Sequence, residues 1–144
     1  MVNIAIVEDE DPAARVLEEF LKRYEREHGG TAFNVSRYRD AETFLSDAVG
    51  GYGIVLMDIE LPDMNGMEAS KRLRERDADV IIMFVTNMAQ YAIKGYEVRA
   101  FDFIVKPVTY ADFALKLAGA LECEKTRRGK TVWVTNKDGR VAMR

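Results

Sequence analysis

Four apolar runs in this chain stop at residues that can do chemistry. Residues 2–7 run into Glu8-Asp9-Glu10-Asp11, residues 54–57 into Asp58, residues 80–85 into Thr86, and residues 101–105 into Lys106. A short continuous apolar run suits a strand buried on both faces of a parallel sheet. Open α/β sheets bind ligands outside the carboxyl ends of their strands. If the four runs are neighbouring strands, Glu8, Asp9, Asp58, Thr86 and Lys106 converge on one pocket. Three carboxylates within a few ångströms repel and raise one another's pKa values. A hard divalent cation resolves the conflict, and donors that are all oxygen favour Mg²⁺ over transition metals. Lys106 would balance the remaining charge, and Thr86 would add a hydroxyl. Together they form a cradle for an anion with several oxygens, in practice a phosphoryl group. Asp58 is the carboxylate nearest its centre, and carboxylates do accept phosphoryl groups.

The elements that must position these groups are legible in order. Pro12 suits the first turn of a helix that follows the four acids, and acids there favour the positive helix end. Val16, Leu17, Phe20, Leu21 and Tyr24 recur at helical spacing as far as His28-Gly29-Gly30. Residues 33–38 read as a second strand. Asp40 has the character of an N-cap for a second helix carrying Phe44, Leu45 and Ala48. A third helix is expected over 67–76 and a weaker fourth from Met88 to about Gly95. A fifth carries Phe113, Leu117 and Leu121. Five strands alternating with helices in about 125 residues predict an α/β fold with a doubly wound, (βα)5 parallel sheet and helices on both faces.

The domain division follows from composition. Residues 1–125 are expected to form this unit, and 126–144 a basic linker with the start of a second, β-rich domain. There, residues 131–135 and 140–143 flank a turn at 136–139 and predict a β-hairpin, which alone is only marginally stable. The chain of 144 residues with 48% hydrophobic residues can bury a core without staples. A net charge of −3 and a pI near 5.3 provide no basic footprint for nucleic acid. Cys123 is the only cysteine, so an intramolecular disulfide and a cysteine-based zinc site are excluded. No apolar run reaches the length of a membrane span, and acids follow Val7 where a signal peptide would stay apolar. A soluble, cytoplasmic protein is expected.

With these residues in place the chain resembles the receiver domain of bacterial two-component response regulators. The resemblance rests on Glu8-Asp9, the segment Met57-Asp58-Ile59-Glu60-Leu61-Pro62-Asp63-Met64-Asn65-Gly66, Thr86 and Lys106-Pro107, in order and spacing, and covers about residues 2–125. It implies a flavodoxin-like sheet of order 2-1-3-4-5. It also implies Mg²⁺-dependent transfer of a phosphoryl group to Asp58 from a sensor histidine kinase. Carried over by position, Asp9 and the Asp58 carboxylate bind Mg²⁺, Glu8 acts largely through a metal-bound water, and the Glu60 backbone carbonyl completes the protein ligands. Thr86 and Lys106 each contact a phosphoryl oxygen, and the Lys106–Pro107 bond is cis. Thr86 and Phe103 form the switch that alters the surface of the fourth helix, fifth strand and fifth helix, and homodimerisation on phosphorylation is the implied output. The chain is then a phosphoacceptor switch, catalysing only its own phosphorylation and dephosphorylation. Residues 90–107 further resemble the LytTR-type regulators, with DNA bound only through a missing C-terminal domain. Glu8 stands for the more usual aspartate, and Phe103 where the family often has tyrosine. Glu60 and Met88 lie where it tunes hydrolysis.

Simpler readings stand beside these. Asp58 alone would be an ordinary turn residue and Lys106 alone a solvated lysine; it is the five coincident elements that give the site. Glu10 and Asp11 are accounted for by the helix N-terminus, and His28 by a helix end. Tyr91, Tyr96 and Phe101 fit either a core or a partner surface. Two rival functions remain open: a Mg²⁺-dependent aspartyl phosphatase, for which no cap-sized insertion exists, and a phosphorylation-independent pseudo-receiver, which would be expected to lack a site group.

Overall fold

In a computed structural model, residues 1–47, 51–88, 90 and 93–137 are described, with side chains at all of these except 93, 95, 96 and 128–137. The strands are β1 (Val2–Val7), β2 (Phe33–Tyr38), β3 (Ile54–Met57), β4 (Ile81–Thr86) and β5 (Asp102–Val105). The helices are α1 (Asp11–Glu27), α2 (Ala41–Asp47), α3 (Gly66–Arg76) and α4 (Tyr110–Lys137), with a 3₁₀ segment at Ile93–Val98. All pairings are parallel, and the sheet order is β2-β1-β3-β4-β5. The doubly wound five-stranded sheet expected from the sequence is therefore present.

Side chains along a strand alternate between faces, so each buried strand feeds two cores. Ala5, Val7, Val55, Met57, Ile82 and Phe84 meet Phe44 and Leu45 of α2 and Met67, Ala69 and Leu73 of α3. Ile4, Ile6, Ile54, Leu56, Met83, Val85 and Ile104 meet Ala14, Leu17 and Leu21 of α1 and Phe113, Leu117 and Ala120 of α4. Such two-sided burial explains why β3 is apolar throughout and β4 as far as Val85. Asp40 caps α2 as expected, accepting the Thr43 N–H at 2.7 Å. Asn65 does the same for α3, accepting from Glu68 N–H at 2.9 Å.

Two elements differ from expectation. In place of the fourth helix there is 3₁₀ geometry at Gln90 and over Ile93–Val98; Ala89, Tyr91 and Ala92 of the expected helix lie outside the described residues. Gly95 and the β-branched Ile93 and Val98 disfavour a regular helix. The C-terminal end of this segment is instead held from outside. Arg74 on α3 donates to the carbonyls of Val98 (2.9 Å) and Arg99 (3.3 Å), and also to those of Val80 (2.6 Å) and Ala78 (3.1 Å). The second difference is at the end of the chain, where α4 continues to Lys137. The strand expected over 131–135 is helix here, because a helix closes its hydrogen bonds locally whereas a strand needs a partner. The partner strand expected over 140–143 lies outside the described residues. Among the described residues no helix is long and apolar enough to cross a membrane.

One glycine decides how closely the layers approach beside Asp58. A Cβ added to Gly66 would stand 2.1 Å from the Asp58 carbonyl oxygen and 2.8 Å from Ile59 Cα, both backbone atoms that cannot swing away. The Gly66 N–H donates to the Ile59 carbonyl at 2.9 Å, locking the start of α3 against the end of β3. Gly66→Ala is expected to lower the unfolding free energy by about 3 kcal/mol, at the high end of overpacking costs, measured by urea denaturation at equilibrium.

Candidate phosphoryl and cation site

The sheet order places the ends of β1 and β3 together at the centre, with β4 beside β3 and β5 beyond it. The sheet ladder reaches past the strands into the residues of interest. The Asp58 N–H donates to the Val7 carbonyl (3.0 Å), Glu8 N–H to Tyr38 (3.0 Å), and Lys106 N–H to Thr86 (2.9 Å). Backbone positions at this rim are thus set by the sheet rather than by loops. The Lys106–Pro107 peptide is cis.

Glu8, Asp9 and Asp58 each offer a carboxylate oxygen, and these oxygens lie within 4.8 Å of one another. Glu8 and Asp58 are buried and Asp9 is half-buried. Lys106 Nζ reaches Glu8 Oε1 at 2.7 Å and Asp58 Oδ2 at 3.1 Å, with its side chain 15% exposed. The remaining acceptors have backbone donors: Glu8 Oε2 takes the Glu10 N–H at 3.1 Å, and Asp58 Oδ1 takes the Glu60 N–H at 3.1 Å. Burial pushes the Glu8 carboxyl up to about 7, and the Asp58 charge adds to the rise. The Lys106 hydrogen bond and the Glu10 N–H oppose it. Burial also works against charge on Lys106, but the hydrogen bond to Glu8 and the two carboxylates outweigh it and raise the ammonium pKa. One lysine therefore does not neutralise the acidic cluster fully. A hard cation fits the deficit, since the three clustered side chains offer oxygen alone.

Thr86 is buried at the end of β4, and its Oγ1 accepts the Met88 N–H at 3.2 Å. Phe103 is half-buried on β5, its ring centroid 5.9 Å from that of Phe84. The Glu60 side chain is exposed and Met88 is half-buried. The structure thus brings Glu8, Asp9, Asp58 and Lys106 into direct proximity and sets Thr86 on the neighbouring strand end, one backbone hydrogen bond from Lys106.

Sequence reasoning passed over Arg37. Its Nε and Nη2 donate to the Glu8 carbonyl at 3.0 and 2.8 Å, and its Nη1 to Asp11 Oδ1 at 2.8 Å. Arg39 Nη2 shares Asp11 Oδ1 at 2.8 Å. These two guanidiniums hold the Asp11 carboxyl below the usual carboxylate range. A cation near the end of β2, beside four consecutive acids, was the available signal.

Comparison with known proteins identifies the family. The profile of the response regulator receiver domain matches residues 4–118. An uncharacterized transcriptional regulatory protein, YkoG of Bacillus subtilis, is 31% identical over 127 residues, 87% of this chain and 53% of that protein. The sensory transduction protein LytT of Oceanobacillus iheyensis is 30% identical over 82 residues, 54% of this chain and 33% of its own. The chain thus spans about half the length of the first relative and a third of the second. Among solved structures, the response regulator protein TrrA of Thermotoga maritima, in complex with Mg²⁺-BeF, superposes with a TM-score of 0.72. It is 23% identical, and the match covers 83% of this chain and 99% of that one. With its profile matched across residues 4–118 of 144, the chain belongs to the response regulator receiver domain family.

Proposed function

We propose that phosphorylation of Asp58 operates this receiver as a switch. The observation that carries the reading is the buried rim itself, with three carboxylates clustered and Lys106 Nζ bridging Glu8 and Asp58. An Asp58 carboxylate oxygen attacks the phosphorus of a phosphohistidine on a sensor kinase; the O–P bond forms as the P–N bond breaks, leaving the imidazole on the donor. Glu8, Asp9, the Asp58 carboxylate and the Glu60 backbone carbonyl are the groups to hold Mg²⁺, whose charge would offset that of the phosphoryl oxygens. TrrA in its Mg²⁺-BeF complex supports this choice of cation. Lys106 exchanges its carboxylate contact for a phosphoryl oxygen. The Thr86 hydroxyl, which accepts from Met88 N–H here, still carries a proton to donate to another.

Turning Thr86 toward the phosphoryl group gives up that Met88 contact and frees space beside β5, into which Phe103 moves. The switch biases two packings of the 3₁₀ segment and β5 rather than building a new fold. Its output face is the one carrying Phe101 (39% exposed), Val105 (46%) and Leu115 (73%). Phe101 packs over Gly119, and Leu115 stands one helical turn before Gly119 on the same stripe. A second copy of the chain covers this face after phosphorylation. In the full protein, a C-terminal LytTR-like domain would contact DNA; the likeness to LytT and to a transcriptional regulatory protein supports that output.

Incubation with acetyl phosphate and Mg²⁺ followed by intact mass measurement is expected to show one added phosphoryl group. The gain should vanish in Asp58→Asn and when EDTA replaces Mg²⁺; no gain in the parent, or an equal gain in Asp58→Asn, refutes the assignment. Lys106→Met removes the compensating cation and is expected to cost about 3 kcal/mol at neutral pH. Without the Lys106 hydrogen bond that opposes the rise, the Glu8 carboxyl binds its proton more tightly in the folded state, so the penalty should shrink as pH falls towards 5, which denaturation curves at the two pH values would check. Beryllofluoride with Mg²⁺ is expected to convert the chain to a dimer in light scattering, and Leu115→Glu to keep it monomeric.

A further inference from the structure

We propose that Arg37 is a positioning residue for cation binding, setting Asp9 against Glu8 and Asp58; this rests on the reading of the rim as a Mg²⁺ site. In the β1–β2 register Arg37 lies opposite Ile6, and Tyr38 opposite Val7. Its guanidinium therefore reaches forward along the strand to the loop that leaves β1. There it makes two attachments, at the Glu8 carbonyl and at the Asp11 carboxylate. Asp9 lies between them in sequence. The carbonyl that Arg37 grips belongs to the peptide group joining Glu8 to Asp9, and two N–H donors converge on that single oxygen at 3.0 and 2.8 Å. From the other side of the loop, the Glu8 carboxylate takes the Glu10 N–H. The two peptides that flank Asp9 are thus each held, the first by Arg37 and the second by the Glu8 carboxylate, and the Arg37 side chain is only 19% exposed.

The choice of arginine matters. A planar fork can place two donors on one carbonyl while a third N–H reaches a carboxylate, and an ammonium supplies only a point charge. The partners matter too. Lys106 contacts the carboxylates that a cation would occupy, whereas Arg37 contacts a carbonyl outside that cluster and keeps its bonds when the cation arrives. A simpler role for Arg37, as a nearby positive charge, makes the opposite prediction. Deleting a cation beside a metal site should tighten metal binding, and deleting a positioning group should weaken it. Arg39 is the natural control. It approaches the same Asp11 oxygen at 2.8 Å, but its side chain is 63% exposed.

The test is calorimetric titration of the 144-residue chain with MgCl2 after removal of metal by EDTA and dialysis, well below the melting temperature of each variant. Groups that orient metal ligands typically govern affinity by tenfold or more. Arg37→Gln is therefore expected to weaken Mg²⁺ binding about tenfold, and Arg37→Lys severalfold, while Arg39→Gln leaves it unchanged or tightens it. A folded Arg37→Gln that binds Mg²⁺ as tightly as the parent, or more tightly, overturns the proposal. Should Arg37→Gln fail to fold, parent-like affinity in Arg37→Lys overturns it instead. Asp9→Asn separates the two levels of the reading. If Asp9→Asn abolishes binding while Arg37→Gln does not weaken it, the positioning role alone falls. If the parent binds no Mg²⁺, or Asp9→Asn binds as the parent does, the rim is not the cation site and the proposal falls with it.

Discussion

A single ammonium between two buried carboxylates is the interaction on which this structure turns. Glu8 and Asp58 come from the two central strands and Lys106 from the edge strand, and each would be costly to bury alone. Their meeting is possible only because the sheet ladder carries on past the strand ends and fixes the backbone of all three. The charge balance is left incomplete, with a third carboxylate at hand and one lysine to serve them. A rim short of positive charge attracts a cation, and a lysine already in place is ready to meet an anion. The same deficit suits the site to both roles proposed for it, cation binder and phosphoryl cradle.

The two cores serve this rim by rigidity. Residues of alternate parity in β1, β3 and β4 feed α2 and α3 on one side and α1 and α4 on the other. A strand end cannot shift without disturbing both layers. Gly66 carries that constraint to its limit, since α3 starts in van der Waals contact with the backbone of Asp58. Phe103 and Met88, both half-buried, lie on the β4–β5 side of the rim. On that side of the molecule Phe101, Val105 and Leu115 are the exposed large apolar residues.

What was legible from sequence follows the same division. Periodicity and punctuation identified the five strands, the layering and the capping of α2 by Asp40, because burial on both faces writes continuous apolar runs and helices write a 3.6-residue stripe. Placing Glu8, Asp9, Asp58 and Lys106 together needed only the rule that strand ends share an edge. Arg74 escaped because it acts on backbone carbonyls, a kind of contact with no periodic signature and no partner side chain to pair with; Arg37 does pair with Asp11, but its two bonds to the Glu8 carbonyl leave no such trace either. The 3₁₀ geometry of Ile93–Val98 escaped for a related reason: Arg74 anchors its C-terminal end from outside the segment. The helix through Lys137 differs from the expected strand because strand formation depends on a partner, whereas helix formation does not.

The Arg74 contacts have a topological consequence. By bonding the carbonyls of both Val80 and Val98, one guanidinium pins together the two ends of the 80–98 stretch, and so closes it into a ring of chain that contains all of β4 and Thr86. Closing such a ring lowers the entropy of everything inside it. A displacement at Thr86 would meet β5 directly, through the Lys106 N–H that donates to the Thr86 carbonyl and through the β4–β5 ladder. The fold thereby gives any such displacement a direction, toward β5 rather than α3.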